Sequence, residues 1–278
     1  MLTIQQVLEL GIQLLSPLDT ASLEAEILLG QVLQVKRSYL YTWPNCGVDS
    51  NQVSQFQTLC QRRQQGEPIA YLLGQKEFWS LDLQVTPATL IPRPETELLV
   101  EQALARLPID NNAQVVDLGT GSGAIALAIA KERPRCQILA TDNASEALAI
   151  AQQNAQRLGL HQIQFRISDW WQNLDSVVAA VVVSNPPYIA KTDSYLTQGD
   201  VRYEPRQALI AGKDGLAAIR LLITQSLIHL EPKGWLLLEH GYNQAQAVQI
   251  LLNRQGYKIV TTYPDLAGQP RVTVGQKP

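Results

Sequence analysis

The sequence predicts an α/β protein: a doubly wound, mostly parallel sheet of Rossmann-like type, preceded by a small all-helical bundle. Three observations carry that expectation. From Ala113 onward short apolar, β-branched runs alternate with amphipathic helical stretches, the pattern of a parallel sheet covered on both faces. A glycine-rich turn, Asp117-Leu118-Gly119-Thr120-Gly121-Ser122-Gly123, falls where the first of those strands passes into its helix. Residues 1–73, in contrast, read as a series of short helices. The chain divides on this basis into a bundle over residues 1–73, a β-hairpin linker over 74–90 and a large domain over 91–278.

In chain order, Thr3-x-x-Gln6 has the form of a capping box, and Ile4, Val7, Leu8, Leu14 and Leu15 follow at helical spacing. Ser16-Pro17 should end that helix. A second is expected over 20–33 with Leu23, Ile27, Leu28 and Val32 on its inner side, and a short one near 36–41. Another starts at Asp49, turns Val53, Phe56, Leu59 and Cys60 inward and stops at Gly66-Glu67-Pro68. Two strand-like runs, 76–79 and 82–85, suggest a hairpin. In Leu90-Ile91-Pro92-Arg93-Pro94-Glu95-Thr96-Glu97 the prolines hold Ile91 and Arg93 extended, and a helix begins at Pro94 or Glu95 and runs to Arg106. Arg93, Glu95 and Glu97 fit either a solvated helix start or the mouth of a site. Beyond them, strands are expected over 114–118, 137–141, 162–167, 177–183, 234–239, 257–263 and 271–274. Helices are expected over 124–131, 145–158, 216–230 and 244–255. Such folds bind ligands at the carboxyl ends of their strands, near the switch point.

At 278 residues, 46% hydrophobic and 17% charged, the composition is that of an ordinary globular protein. A net charge of −3 weighs against a nucleic-acid duplex as partner. Cys46, Cys60 and Cys136 are odd in number and widely spaced, and His161, His229 and His240 are scattered, so no disulfide and no metal site are expected. The N-terminus lacks the basic region of a signal peptide, and no apolar run approaches the ~18 residues of a membrane span. The expectation is a monomeric cytoplasmic protein without membrane or nucleic-acid partners.

The most informative stretch is Val181-Val182-Val183-Ser184-Asn185-Pro186-Pro187-Tyr188. A buried strand is stopped by two prolines that have no N–H, which leaves local carbonyls pointing outward as acceptors. Asn185 adds a side-chain oxygen and Tyr188 a flat ring. Together they form a cradle for a planar –NH₂ group, working by orientation rather than by ionisation. Asn-Pro-Pro-Tyr resembles the substrate motif of methyltransferases that use S-adenosylmethionine to methylate planar amino groups, in adenine or in glutamine side chains.

The glycine turn alone is ambiguous. Its glycines allow close backbone approach to a ligand, and Asp142, roughly 20 residues on, is placed for two ribose hydroxyls. Gly119-x-Gly121-x-x-Ala124 also satisfies a dinucleotide pattern, so a nucleotide-dependent oxidoreductase competes on these residues. Three features favour a methyl donor. Asp117 is unhelpful to a pyrophosphate but tolerable beside a sulfonium. Ser168-Asp169-Trp170 offers an acceptor and an aromatic to an adenine ring. Asn185 to Tyr188 is not called for by hydride transfer.

Further segments carry a closer resemblance. Gly66-Glu67-Pro68-Ile69-Ala70-Tyr71-Leu72-Leu73-Gly74, Glu77-Phe78-Trp79, Leu90 to Glu97, Gln198 to Pro205 and Leu238-Glu239-His240-Gly241 are similar to the protein-glutamine methyltransferases that modify peptide chain release factors, the HemK or PrmC family. Asp265-x-x-Gly268-x-x-Arg271 also fits and reads as structural. The resemblance implies a class I methyltransferase domain acting on the glutamine of the Gly-Gly-Gln loop in class 1 release factors. It places Gly119, Thr120, Gly121, Ser122, Gly123, Asp142, Trp170 and Asn185 around S-adenosylmethionine, with Asp169 added as an adenine contact on chemical grounds. It places Asn185, Pro186, Pro187 and Tyr188 around the substrate amide and gives the bundle a share in gripping the release factor; Arg93 and Glu95, from their place at the mouth, are the further candidates for substrate binding. The rival reading is an adenine amino-group methyltransferase acting on DNA.

Overall fold

A computed structural model describes residues 1–16, 18–109 and 112–278. Their contacts group into two units, Met1–Gly74 and Gln75–Pro278. Among the described residues no helix is long and apolar enough to cross a membrane.

The first unit runs β1 (Leu2–Thr3), α1 (Ile4–Leu15), α2 (Ala21–Leu33), α3 (Arg37–Thr42), β2 (Gly47–Val48), α4 (Ser50–Gln64) and α5 (Ile69–Leu73). The capping box closes both ways: Gln6 N–H donates to Thr3 Oγ1 at 3.3 Å, and Thr3 N–H to Gln6 Oε1 at 3.0 Å. Asp49 caps α4 in the same manner. Ser16 ends α1; Pro17, its expected breaker, lies outside the described residues. The two-residue strands β1 and β2, paired Leu2 to Val48, are too short to leave a sequence period. The inner face of α2 differs from the one expected. Leu23 is 41% exposed, while Ala25, Leu28 and Leu29 are fully buried. The helix is apolar nearly all round, so its sequence does not single out a face. Its two buried carboxylates settle the rotation instead: Glu24 meets Arg63 at 2.7 Å, and Glu26 pairs with Arg37 and Tyr41. Phe56 of α4 fills the centre and lies against Gly11, where a Cβ would collide with its ring.

The second unit opens with the hairpin β3 (Gln75–Phe78) and β4 (Leu81–Gln84), followed by α6 (Glu97–Leu104), β5 (Gln114–Leu118), α7 (Ala124–Glu132), β6 (Gln137–Asp142), α8 (Ser145–Leu158) and β7 (Ile163–Ile167). It continues with β8 (Ala179–Ser184), α9 (Ala217–His229), β9 (Leu230–Glu239), α10 (Ala245–Gln255), β10 (Lys258–Pro264) and β11 (Pro270–Gln276). The hairpin was expected as a separate linker, but its contacts join it to this unit. Asn154 of α8 explains why: its side chain accepts from Gln84 N–H at 2.7 Å and donates to Gln84 O at 3.0 Å.

Seven strands form one sheet in the order β10-β11-β9-β8-β5-β6-β7, parallel except for β11. Side chains alternate across it with the strand period of two. Val115, Val181, Val183 and Leu237 pack under α6 and α7, whereas Val116, Val182, Leu236 and Leu238 pack under α9 and α10. The chain leaves β5 toward β6 and β7, then returns to β8 on the other side of β5. That reversal opens a crevice beyond the carboxyl ends of β5 and β8.

Candidate active site

The polar residues singled out around the sheet lie at this carboxyl edge: Asp142 and Asn185 follow the last buried apolar residue of their strands, and Asp117 comes one residue before the end of β5. Near the end of β5, Asp117 is fully buried and accepts the Thr120 hydroxyl at 2.7 Å. Burial pushes its carboxyl up to about 7, against the pull of that hydrogen bond. The Gly119 and Thr120 N–H groups both donate to Thr141 O, at 2.9 and 2.8 Å, which pins the turn to β6. Gly119 and Gly121 take positive φ values of 76° and 56°, the backbone condition that glycine meets without strain.

Asp142 ends β6, with Oδ2 accepting from Gly121 N–H and Oδ1 from Ala144 N–H, each at 2.9 Å. Those bonds fix the carboxylate where it lines the crevice. Burial raises its pKa, and the backbone N–H groups of Ala144, Gly121 and Asn143 oppose that. After β7 the buried Ser168 hydroxyl reaches the carbonyls of Trp170 and Gln172, at 2.8 and 2.7 Å. It shapes a turn in which Trp170 adopts a φ of 53° and brings its ring over Gly119. Asp169 is exposed beside it.

One cavity collects Gly119, Thr120, Gly121, Ser122, Asp142, Asp169, Trp170, Asn185 and Pro187. Gly123 does not line it. A Cβ there would meet Leu127 at 3.0 Å and Ala151 at 3.2 Å, so this glycine serves the close approach of α7 to α8. A second cavity is lined by Arg93, Glu95, Asn185, Pro186, Tyr188, Tyr195, Glu239 and Arg271, among others. Asn185 belongs to both, with Pro187 facing one side and Pro186 and Tyr188 the other. Its Nδ2 donates to Thr96 Oγ1 at 3.1 Å, which leaves Oδ1 for a ligand. Among the described residues the Pro186 and Pro187 carbonyls take no hydrogen bond, as the missing N–H groups led one to expect.

In the second cavity Arg93 pairs with Glu204 and Arg271 with Asp265, the latter at 3.0 Å. The lining or supporting groups not singled out as site residues include Thr96, Glu239 and Arg271. Arg271, read as structural, both pairs with Asp265 and lines the cavity. Glu239 had a legible signal. Leu236-Leu237-Leu238-Glu239 places a carboxylate at the end of a buried strand.

Residues 6–74 match the family model described as PrmC N-terminal domain, and residues 94–201 the one described as methyltransferase small domain. The release factor glutamine methyltransferase of Xylella fastidiosa is 51% identical over 92% of this chain and 93% of its own. The protein of the same name from Pseudomonas aeruginosa is also 51% identical, over 92% and 93%. A methyltransferase from Pyrococcus furiosus shares the fold at a TM-score of 0.54 and 19% identity, over 71% of this chain and 89% of its own.

Proposed function

Since the chain belongs to the release factor glutamine methyltransferase family, we propose that it methylates the side-chain amide nitrogen of the glutamine in the Gly-Gly-Gln loop of class 1 release factors. The observation that carries this reading is Asn185, one side chain shared by two cavities with its oxygen uncommitted. The residues of the first cavity fit S-adenosylmethionine. Asp142 offers a carboxylate to a ribose, Trp170 offers a ring to adenine, and the glycine turn lets a ligand approach the backbone. When bound there, that group supplies an activated methyl on a sulfonium.

An amide nitrogen is a poor nucleophile, since its lone pair is shared with the carbonyl. What this chain can contribute is alignment and exclusion of water. In the proposed arrangement Asn185 Oδ1 and the Pro186 carbonyl hold the –NH₂ in plane, Tyr188 packs against it, and Arg93 and Glu95 shape the entrance. The bundle shares in gripping the release factor, and a substrate drawn from translation fits a cytoplasmic enzyme with no need of a metal.

The direct test mixes enzyme, donor and purified release factor and reads peptide masses after digestion. The Gly-Gly-Gln peptide should gain one methyl, and a Gln→Ala release factor none. Label entering adenine in DNA instead would replace this reading by its rival. A second expectation concerns the donor side. Asp142→Ala should lower the affinity for S-adenosylhomocysteine by about 1.5–3 kcal/mol for each charge-assisted hydrogen bond lost, with turnover at saturating donor little changed. Calorimetry showing undiminished affinity would reduce Asp142 to a strand-end residue.

A further inference from the structure

The nitrogen that gains a methyl group must also lose a proton, and the acceptors of the Asn185–Tyr188 turn are carbonyls, which do not keep one. Glu239 lies next to them. The parallel register sets Ser184 opposite Leu238, so Asn185 and Glu239 are the next positions on adjacent strands. Glu239 lines the second cavity and is 1% exposed. Its Oε1 accepts the Tyr188 hydroxyl at 3.4 Å, whereas Oε2 is buried and has no hydrogen-bond partner among the described residues.

In the large majority of cases a carboxylate retained only for the fold has both oxygens satisfied, because a buried unpartnered oxygen destabilises the folded state; Asp117 Oδ1 is the other such carboxylate oxygen among the described residues. The groups around Glu239 do not supply the missing partner. Arg271 of β11 turns its Nε to Asp265 at 3.0 Å. The adjacent His240 directs its ring nitrogens to Thr273 and the Gly241 carbonyl, at 2.7 and 2.9 Å. From the turn just before α6, Glu95 brings a like charge, and the Thr96 hydroxyl lies close enough to oppose the effect of burial without making a hydrogen bond to Oε2. What remains is a donor that arrives with the substrate.

On the functional reading above, we propose that Glu239 Oε2 accepts an N–H of the substrate amide and takes that proton as the methyl group is transferred. The nitrogen–carbon bond forms while the methyl–sulfur bond breaks and its electron pair stays on sulfur. The surplus N–H bond breaks, its electrons remain on nitrogen, and the proton moves to Oε2. Later release of that proton to solvent restores the carboxylate.

The protonation equilibrium of Glu239 makes the idea measurable. Burial is the largest influence on it and pushes its carboxyl up to about 7. The proton-accepting form therefore grows about tenfold per pH unit below that value and saturates above it. Single-turnover methylation of a release factor, with enzyme and donor in excess, should rise with pH through about 7 in the wild type. Glu239→Gln should lower the plateau roughly a hundredfold or more and abolish the rise. S-adenosylhomocysteine affinity within twofold of wild type would show that the variant is folded. Glu239→Asp should keep the rise at a lower plateau. A Gln variant that turns over within a few-fold of wild type, or keeps the same pH rise, overturns the proposal. If the Gln variant also loses affinity for S-adenosylhomocysteine, the Asp profile decides: a retained rise supports the role and a flat profile refutes it. Wild-type enzyme that leaves the release factor unmodified would sink the functional reading as well, an outcome distinct from activity that ignores Glu239.

Discussion

Asn185→Ala is expected to raise the barrier to methyl transfer by about 2–4 kcal/mol, the cost of losing one preorganised contact at a reacting group. The loss should appear mainly in kcat, since the contact aligns the nitrogen rather than gripping the release factor as a whole. The fold should survive. Asn185 is half-buried, and among the described residues its side chain makes one hydrogen bond, to the Thr96 hydroxyl. The measurement is turnover on a purified release factor beside a thermal melt. Turnover within a few-fold of wild type would remove Asn185 from the reaction.

The largest expected loss of stability lies in the first unit. Phe56 is fully buried at the centre of its core, with its ring over Gly11. Truncation to alanine removes the ring and leaves a cavity that α1, lacking a side chain at Gly11, cannot fill. Phe→Ala changes of this kind cost about 3–5 kcal/mol. A loss of that size should speed amide hydrogen exchange in α1, α2 and α4 by roughly a hundredfold or more, where exchange occurs through opening of the bundle. Exchange in β5 and β8 is the internal comparison. Unchanged protection in α1 would mean that the bundle closes around the void.

Residues whose place follows from chain direction were legible in the sequence. Asp142 and Asn185 each stand at the end of a buried strand that is largely β-branched or apolar, and a parallel sheet sends such positions to one edge whatever its packing details. Roles that depend on what lies across a gap were not legible. Gly123 follows the same spacing as Gly119 and Gly121, yet its small size serves Leu127 and Ala151 rather than a ligand. The inner face of α2 stayed hidden because its rotation is set by Arg63 of α4 and Arg37 of α3, partners at a distance in sequence. Glu239 stands between these cases. Its place at a strand end could be read from the chain, while the orphaned oxygen that gives it meaning exists only once Tyr188 and Thr96 have come alongside.

The position of β11 has a consequence for the order in which the protein can be made. The strand comes last of the seven along the chain but lies inside the sheet, with β9 on one side and β10 on the other. β10 is synthesised first and among the described residues pairs with no other strand, so its backbone edge stays unpaired until β11 emerges and joins it to β9. Arg271, which lines the second cavity, arrives on that same strand. Since chains fold from the N-terminus as they are made, the glycine turn and Asp142 can assemble early on β5 and β6. The wall of the other cavity is among the last parts of the sheet to form. A chain stopped before residue 270 should therefore keep much of its donor affinity while having neither β11 nor a place for β10. Its exposed β9 edge would be a site for aggregation.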